Sequence, residues 1–432
     1  MKSLITFRPW QETPDGVYHA VVESQVTALE LERVIPKIRV LFERDDKFYA
    51  NIKKRDVEVI SARQMRVPLE LRPGGAFQYF DPDGGDLGRG SGPTWDKAVL
   101  TSVFVSENIE YTKLTQWATD NDRKAITNAV RRLTATALDE IRRQLDAQMM
   151  GSGNGVVGTI TTVSTSAGVD TYTCTTDGFG VRLVRYNQVV QVYDPTLATF
   201  RGKGTITFWD VANFTVSVTP ATGAQIGDVM VVDGITAPAS LPALFGIAYH
   251  HSNASSGTWL GFNRATTPEI RANRVNGNSN ALSLPLPRLA INLIGNRVGI
   301  DNNFRPNAWL HPAQKQAYED IGQAVIFIPK QPKEEKLDLY FDRMQFAGAP
   351  DKPSFNWDKT RIDFVSDEVW GRGEILPIGF YTTDGRRIFE IRSTSGGVAA
   401  SDIFYMVNGM QTFVNNPAAC AYIDTLAVPS GY

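Results

Sequence analysis

Residues 61–150 decide the reading of this chain. They run SARQMRVPLEL (61–71), RPGGAFQYFDPDGGDLGRGSGPTW (72–95) and KAVLTSVFVSENIEYT (97–112), and then from Arg123 to Met150 RKAITNAVRRLTATALDEIRRQLDAQMM. The segments 61–71 and 97–112 are rich in Val, Leu, Phe and Tyr and read as strands. Between them lies a stretch with too much Gly and Pro to pack a core of its own. At about 3.3 Å per residue such an arm reaches roughly 50 Å from its anchor. A two-stranded hairpin is marginal on its own in water, so this one must lie along another surface. A repeated neighbouring subunit is the simplest candidate, which points to an assembly protein rather than an enzyme.

The next segment is helical. Asp120-Asn121-Asp122 offers capping side chains, and no Gly or Pro follows between Arg123 and Met150. Ile126, Val130, Leu133, Ala137, Ile141 and Leu145 recur every three or four residues and form one apolar stripe. Arg131, Arg132, Asp139, Arg142 and Arg143 fall on the opposite face, and Gly151 supplies a stop. At about 1.5 Å per residue the helix is roughly 40 Å long, and its one-sided stripe must back another layer.

Composition narrows the function further. The chain has 432 residues, enough for two or three domains, and its 44 basic and 46 acidic side chains leave a net charge of -2. No global field draws it to nucleic acid or membrane, and Lys53-Lys54-Arg55 is too short a basic run to act as a tail. Two cysteines, Cys174 and Cys420, cannot build a disulfide framework. No apolar run reaches the roughly 20 residues of a membrane span, and MKSLITFRPWQETPDG lacks the apolar core of a secretory signal. The expected product is made in the cytoplasm and not exported.

Working outward, residues 1–16 read as an irregular arm, and 17–44 carry a helical pattern interrupted by Pro36. Residues 151–236 change character to Thr, Val, Gly and Asp, with alternation such as Thr205-Ile206-Thr207-Phe208-Trp209. Turn signals at Ala167-Gly168, Asp177-Gly178, Asp194-Pro195 and Thr222-Gly223 predict a compact all-β barrel or sandwich. Residues 237–336 mix short helices and loops, with helix starts at Thr267-Pro268, Pro287 and His311-Pro312. Residues 337–428 read as strands: Leu337–Phe341, Arg361–Val365, Arg387–Arg392, Phe404–Val407 and Gln411–Val414.

Catalytic and metal patterns are weak. His250 and His251 are adjacent, and in a strand adjacent side chains point to opposite faces, so they are not expected to share a metal. His19 and His311 sit on separate helices with no Cys beside them. Asp81, Asp83 and Asp86 lie among glycines but miss calcium-loop spacing; a tight turn is the main expectation, and a weak cation site there stays open. Gly202-Lys203-Gly204 reads as a hairpin turn rather than a phosphate loop. No catalytic constellation, cofactor or metal site is expected. The competing reading is a β-rich carbohydrate-binding or polysaccharide-active protein that uses Trp209, Trp259 and the 151–236 unit as an aromatic platform.

The order of arm, extended loop, long helix, mixed domain and strand-rich close resembles the major capsid protein of tailed bacteriophages, with the α+β Hong Kong 97-type fold. RMQFAGAPDKPSFNWDKTRIDFVSDEVWGR (343–372) and VNNPAACAYIDTLAVP (414–429) resemble the closing segments of that family. The resemblance implies an N-terminal arm and helix (1–60), an extended E-loop (61–112) and the P-domain spine helix (113–150). It further implies an inserted β domain (151–236), an A-domain (237–336), P-domain strands (337–395) and a C-terminal A-domain segment (396–432). It implies self-assembly as hexamers and pentamers into an icosahedral head around double-stranded DNA that is held non-specifically. The implied partners are a separate scaffolding protein, a portal and, as an open matter, a decoration protein.

Some relatives cross-link an E-loop lysine to a neighbour. Here no lysine lies between Arg72 and Lys97, and the tip offers only Arg72 and Arg89, whose guanidinium groups stay protonated and cannot act as nucleophiles. Non-covalent joining is expected. With about 60 residues before the loop, long N-terminal maturation cleavage is not. Inter-subunit contacts are expected from Arg72, Phe77, Tyr79, Phe80, Arg89 and Trp95, because buried aromatics and arginines dominate interface energetics. The bends and hinges are expected at Gly74, Gly75, Gly84 and Gly85.

Overall fold

A computed structural model describes residues 46–61, 63–80, 82–84, 86, 88–113, 123–175, 180–299, 306–325, 348–392 and 398–432. The helical pattern over 17–44, His19, Asp81, Gly85, the Asp120–Asp122 cap, Asp177-Gly178 and the expected strand Leu337–Phe341 lie outside the described residues. The chain divides into two compact units, one containing residues 107–139 and 380–406, the other 44–106, 140–379 and 407–432.

The elements open with a short helix α1 (Lys47–Asn51) and strands β1 (Glu58–Val59), β2 (Gln64–Arg72), β3 (Thr94–Thr101) and β4 (Val103–Thr112). β2 and β3 pair antiparallel from Gln64↔Thr101 to Arg72↔Thr94, with β1 along the other edge of β2. The single strand expected over 97–112 is two strands. The chain breaks at buried Ser102, whose N–H donates to Arg63 O at 2.7 Å, and β4 then leaves the hairpin to pair with a later strand.

Helix α2 (Arg123–Gln148) occupies the Gly- and Pro-free run, and Gly151 N–H closes onto Gln148 O at 3.1 Å. Ala137, Ile141 and Leu145 of the apolar stripe are buried. Arg143, expected on the polar face, is buried too, because it forks onto Glu140 one turn back, with Nε at 2.9 Å from Glu140 Oε2.

Strands β5 (Val156–Ser166), β6 (Val169–Cys174), β7 (Val189–Tyr193), β8 (Phe200–Asp210), β9 (Thr215–Thr219) and β10 (Val229–Val232) close a barrel in the order β10-β5-β6-β9-β8-β7. Its interior is filled by Val157, Ile160, Tyr172, Cys174, Val190, Val192, Ile206, Val216, Val218 and Met230, and Ala147 of α2 packs on the same cluster. Two expectations fail here. Gly202-Lys203-Gly204 is not a turn but the middle of β8, paired to Val192, Gln191 and Val190. A Cβ on Gly202 would lie 2.5 Å from Thr222 O, so the glycines admit a backbone rather than a bend. The alternation around Phe208 also breaks: a register shift between Ile206 and Phe208 turns Phe208 outward and half-buries Trp209 against the barrel.

The remaining elements are α3 (Ile247–His250), β11 (Thr258–Trp259), β12 (Phe262–Asn263), β13 (Asn273–Asn276), α4 (Pro285–Val298), β14 (Asn307–Leu310) and α5 (Pro312–Val325). Then follow β15 (Asp351–Pro353), β16 (Ile362–Val365), β17 (Trp370–Phe380), β18 (Phe389–Arg392), β19 (Val398–Val414) and β20 (Ala421–Asp424). α4 opens at Pro285 rather than Pro287, with proline in the first turn where its missing N–H costs nothing. A mixed sheet in the order β13-β20-β16-β14-β15 carries α4 on a core of Val275, Ala290, Ile294, Ala308, Leu310, Ile362, Phe364 and Ile423. It interleaves strands from stretches 237–336, 337–395 and 396–432, since β16 pairs with both β14 and β20.

The last sheet runs β17-β19-β18, with β4 also on β19. β19 fuses the two strands expected at Phe404–Val407 and Gln411–Val414, while β17 escaped the sequence reading because Gly371, Gly373, Pro377 and Gly379 interrupt its apolar pattern. Packing overrides that propensity: a Cβ on Gly373 would meet Met65 Sδ at 2.9 Å.

Candidate functional site

The arm is built from a fixed base and a bare end. At the base Met65, Ala98 and Leu100 are buried, Val99 N–H donates to Leu260 O at 3.0 Å, and Gln411 Nε2 donates to Thr101 O at 3.2 Å. Toward the end, β3 is exposed from Thr94 to Lys97. Arg72 marks the boundary: its Nε lies 2.9 Å from Glu269 Oε1 and its Nη2 3.3 Å from Thr266 O. The hydrogen bond with Arg72 holds the Glu269 carboxyl below its ordinary range and raises the guanidinium. Both partners are open to water, so the pair orients the arm more than it stabilises it.

Past Arg72 the backbone needs glycine. Gly74, Gly75 and Gly84 have φ of 69°, 87° and 109°, a region that side chains with a Cβ avoid. Gly75 N–H donates to Ser91 O at 2.6 Å, and a Cβ on Gly74 would lie 2.5 Å from the Gly92 carbonyl carbon. Asp86 Oδ1 accepts Gly88 N–H at 2.9 Å, and Gln78 Nε2 donates to Asp86 O at 3.3 Å. Asp83 is exposed, as is Arg89.

The aromatic side chains of the tip face water. Phe77 is 90% exposed, Tyr79 92%, Trp95 72% and Phe80 54%. Phe77 and Tyr79 touch only edge to face, with centroids 5.5 Å apart. A two-residue spacing on extended chain puts both rings on one side. Packing within a folded tip does not cover them. Exposed aromatic surface of this extent exceeds the scattered single apolar residues of an ordinary surface.

The histidines have different surroundings. His250 and His251 lie in and just after helix α3, not in a strand, and both are fully enclosed. Trp259 Nε1 donates to His250 Nδ1 at 3.1 Å, and His250 Nε2 meets Thr412 Oγ1 at 3.1 Å. Thr412 Oγ1 donates in turn to Phe245 O. Trp370 Nε1 donates to His251 Nε2 at 3.1 Å, and His251 Nδ1 lies 2.9 Å from Asp363 Oδ1. Arg361 forks onto the same carboxylate, with Nη2 at 2.7 Å, and Trp357 Nε1 donates to its other oxygen at 3.1 Å. Burial pushes both imidazoles down, His250 further through the charge of His251, while Asp363 offsets part of the drop at His251. Burial alone would raise Asp363, yet Arg361 and His251 hold it below the ordinary carboxylate range.

His311 precedes α5 and accepts Ala313 N–H at 3.1 Å; burial, then the charges of Lys359 and Arg182, lower it to about 4. Cys174 and Cys420 are free and buried, and burial raises both thiols to about 12. Among the described residues no group of three His, Cys, Asp or Glu is placed to hold a metal, and no helix is long and apolar enough to cross a membrane.

The aromatic platform required by the carbohydrate reading is absent at the residues that suggested it. Trp259 is fully buried on His250, and Trp209 donates its Nε1 to Val181 O at 2.9 Å beneath Arg185. Sequence reasoning missed two other features. One is the core of Phe48, Trp309, Trp357 and Trp370, with centroids 5.0–5.5 Å from Phe48. The other is Phe104, half-exposed over Gly409. A glycine opposite an aromatic on the next strand was the available signal for the second.

No protein-family model and no curated protein matches the sequence. Solved structures do. A chain of the cyanophage A-1(L) capsid asymmetric unit superposes with a TM-score of 0.55 at 10% identity, over 90% of this chain and 95% of that one. The capsid of Myoviridae phage XM1 matches over 92% of this chain and 97% of its own, at 9% identity and a TM-score of 0.42. The holo-SrpI encapsulin complex from Synechococcus elongatus PCC 7942 matches over 94% and 97%, at 10% identity and a TM-score of 0.42. The match to the cyanophage A-1(L) capsid chain gives this chain a phage capsid-protein fold, mixed α and β and rich in sheet.

Proposed function

We propose that this chain is the major capsid protein of a tailed bacteriophage. In this reading it assembles as hexamers and pentamers into an icosahedral head around double-stranded DNA. The observation that carries the proposal is the arm: a capsid fold that projects Phe77, Tyr79, Phe80 and Trp95 into water from a fixed base.

Residues 61–112 serve as the E-loop, 113–150 as the spine of the P-domain and 151–236 as an inserted barrel. Residues 237–336 and 396–432 contribute the A-domain, and 337–395 strands of the P-domain. Each arm lays its tip on a neighbour, where burial of the four rings removes apolar surface at about 25 cal/mol per Å². The positive-φ glycines at 74, 75 and 84 set the path of the tip. Arg72 and Arg89 flank the rings as polar rim contacts, and the joint is non-covalent. Shell closure then needs many modest interfaces, each on the order of 1,600 Å². The near-neutral chain suits a wall that holds DNA without gripping its sequence. Assembly in the bacterial cytoplasm with a scaffolding protein, a portal and an optional decoration protein completes the reading.

Deletion of residues 73–94 tests it. The trimmed chain should remain a folded, soluble subunit by circular dichroism and gel filtration, yet form no closed particles in negative-stain micrographs. Normal shells from the deletion would refute the assignment. Nuclease-resistant DNA inside wild-type particles would distinguish a viral head from a shell of the same fold that encloses protein cargo.

A further inference from the structure

The paired imidazoles do nothing for the contact reading above, yet their hydrogen bonds tie the segment around α3 to β11, β16, β17 and β19. Their hydrogen bonds fix the tautomers. His250 accepts at Nδ1 from Trp259, so its proton sits on Nε2 and points at Thr412, whose own hydroxyl is spent on Phe245 O. His251 accepts at Nε2 from Trp370, so its proton sits on Nδ1 and points at Asp363. Each ring therefore has a single lone pair on which a second proton could sit, and each of those lone pairs already accepts an indole N–H at 3.1 Å.

We propose that His250 and His251 form an acid-released latch, in which proton uptake turns each imidazole acceptor into a donor facing an indole donor and frees α3 from β11 and β17. The surroundings give the new charge nowhere to go. Around His250 stand Tyr249 and Arg264, the latter donating to Tyr249 O at 2.9 Å, so the standing charge that acts on the ring is a cation, and a second proton on His251 would add another. Around His251 stand Asp363 from β16, Arg361, and Trp370 from β17; behind them Cys420, just before β20, lies against Trp370, and Tyr422 of β20 stacks under Arg361. Asp363 is the counter-ion, but Arg361, His251 and Trp357 already occupy both of its oxygens. With both rings enclosed, no water accepts the displaced indole N–H until the hub opens.

The sign follows from linkage. The ordinary imidazole value is 6.5, and both folded values lie below it. Above pH 6.5 neither state binds the extra protons and the latch holds in full. As the pH falls below 6.5 the opened chain binds protons that the closed hub refuses, so stability is lost progressively toward the folded values. Two rings acting together make the opening steeper than a single protonation.

An acid titration of the full-length chain from pH 7.5 to 3.5, followed by tryptophan emission, tests the latch. The wild type should show a red shift that takes up more than one proton. His250→Gln and His251→Gln each keep a neutral polar group that cannot be protonated. Each should give a shallower transition displaced toward acid by half a pH unit or more. Transitions that match the wild type would overturn the proposal. If the variants do not fold, hydrogen–deuterium exchange on the wild type decides. Between pH 7.5 and 5.5, after correction for intrinsic rates, peptides spanning 247–260 and 362–371 should lose protection while barrel peptides over 189–219 keep theirs. Unchanged protection at the hub would refute the latch.

Discussion

Asp146 shows how single polar side chains hold the larger unit. Its carboxylate is fully buried, with Oδ1 accepting Tyr49 N–H at 2.8 Å and Oδ2 accepting Asn356 Nδ2 at 2.8 Å. One side chain of the long helix thus serves α1 and a loop more than 200 residues later, at a sequence separation of 210. Substitution Asp146→Ala removes the acceptor from two buried donors. It should cost about 2–5 kcal/mol, as lost buried hydrogen bonds do, measured by urea denaturation of the subunit; a loss under about 1 kcal/mol would refute this account. The same logic explains Arg143. A helical wheel places it among exposed charges, but its fork onto Glu140 lets it lie buried along α2. Periodicity reports where a side chain starts, and only the neighbour packed on it reports where it ends.

Among the elements, close approach rather than dihedral preference governs several glycines. Gly246 has an ordinary extended backbone, φ -124°, yet a Cβ there would sit 2.2 Å from Met149 O and 2.6 Å from Gly151 O. The nearer carbonyl is held in place, since Met149 O also accepts Ile247 N–H at 2.7 Å. Gly246→Ala should therefore lower stability by about 3 kcal/mol, read as a fall in the urea midpoint. Full tolerance would mean that the turn after α2 is soft. The arm behaves in the opposite way. Because Phe77 and Tyr79 touch little but each other, Phe77→Ser with Tyr79→Ser should leave the melting temperature of the free subunit within about 1 °C, a surface-substitution effect. The same pair should raise the concentration needed for assembly, monitored by light scattering, by at least tenfold; unchanged assembly would remove the rings from the interface. The hairpin itself was legible from residues 61–112, since alternation and glycine clustering are local properties. The split at Ser102, the outward turn of Phe208 and the glycine-broken β17 were not, because each depends on which strand lies alongside.

For the whole molecule, the absence of lysine from the tip leads to a test of how subunits are joined. Assembled particles boiled in detergent should run as one band near 47.7 kDa, the mass of a single chain. A ladder of multiples under reducing conditions would mean a covalent joint that Arg72 and Arg89 cannot supply. With Cys174 and Cys420 buried and their thiols raised, disulfide ladders are not expected either.

The amino-acid order alone was enough to define an arm, a long helix and a β-rich stretch from 151 to 236. Each follows from spacing along a few tens of residues: a period of two for strands, 3.6 for the helix, and glycine where φ turns positive. It was also enough to point to a capsid fold. Tertiary packing settled the rest: the barrel closure, the sheet that threads β16 between β14 and β20, the exposure of the tip aromatics and the enclosure of His250 and His251. Those outcomes rest on partners far away in sequence, such as Asp363 for His251 at a separation of 112 and Thr412 for His250 at 162. A pattern confined to one segment carries no record of such partners, because burial and hydrogen bonding are properties of the folded neighbourhood and not of the strand or helix that enters it.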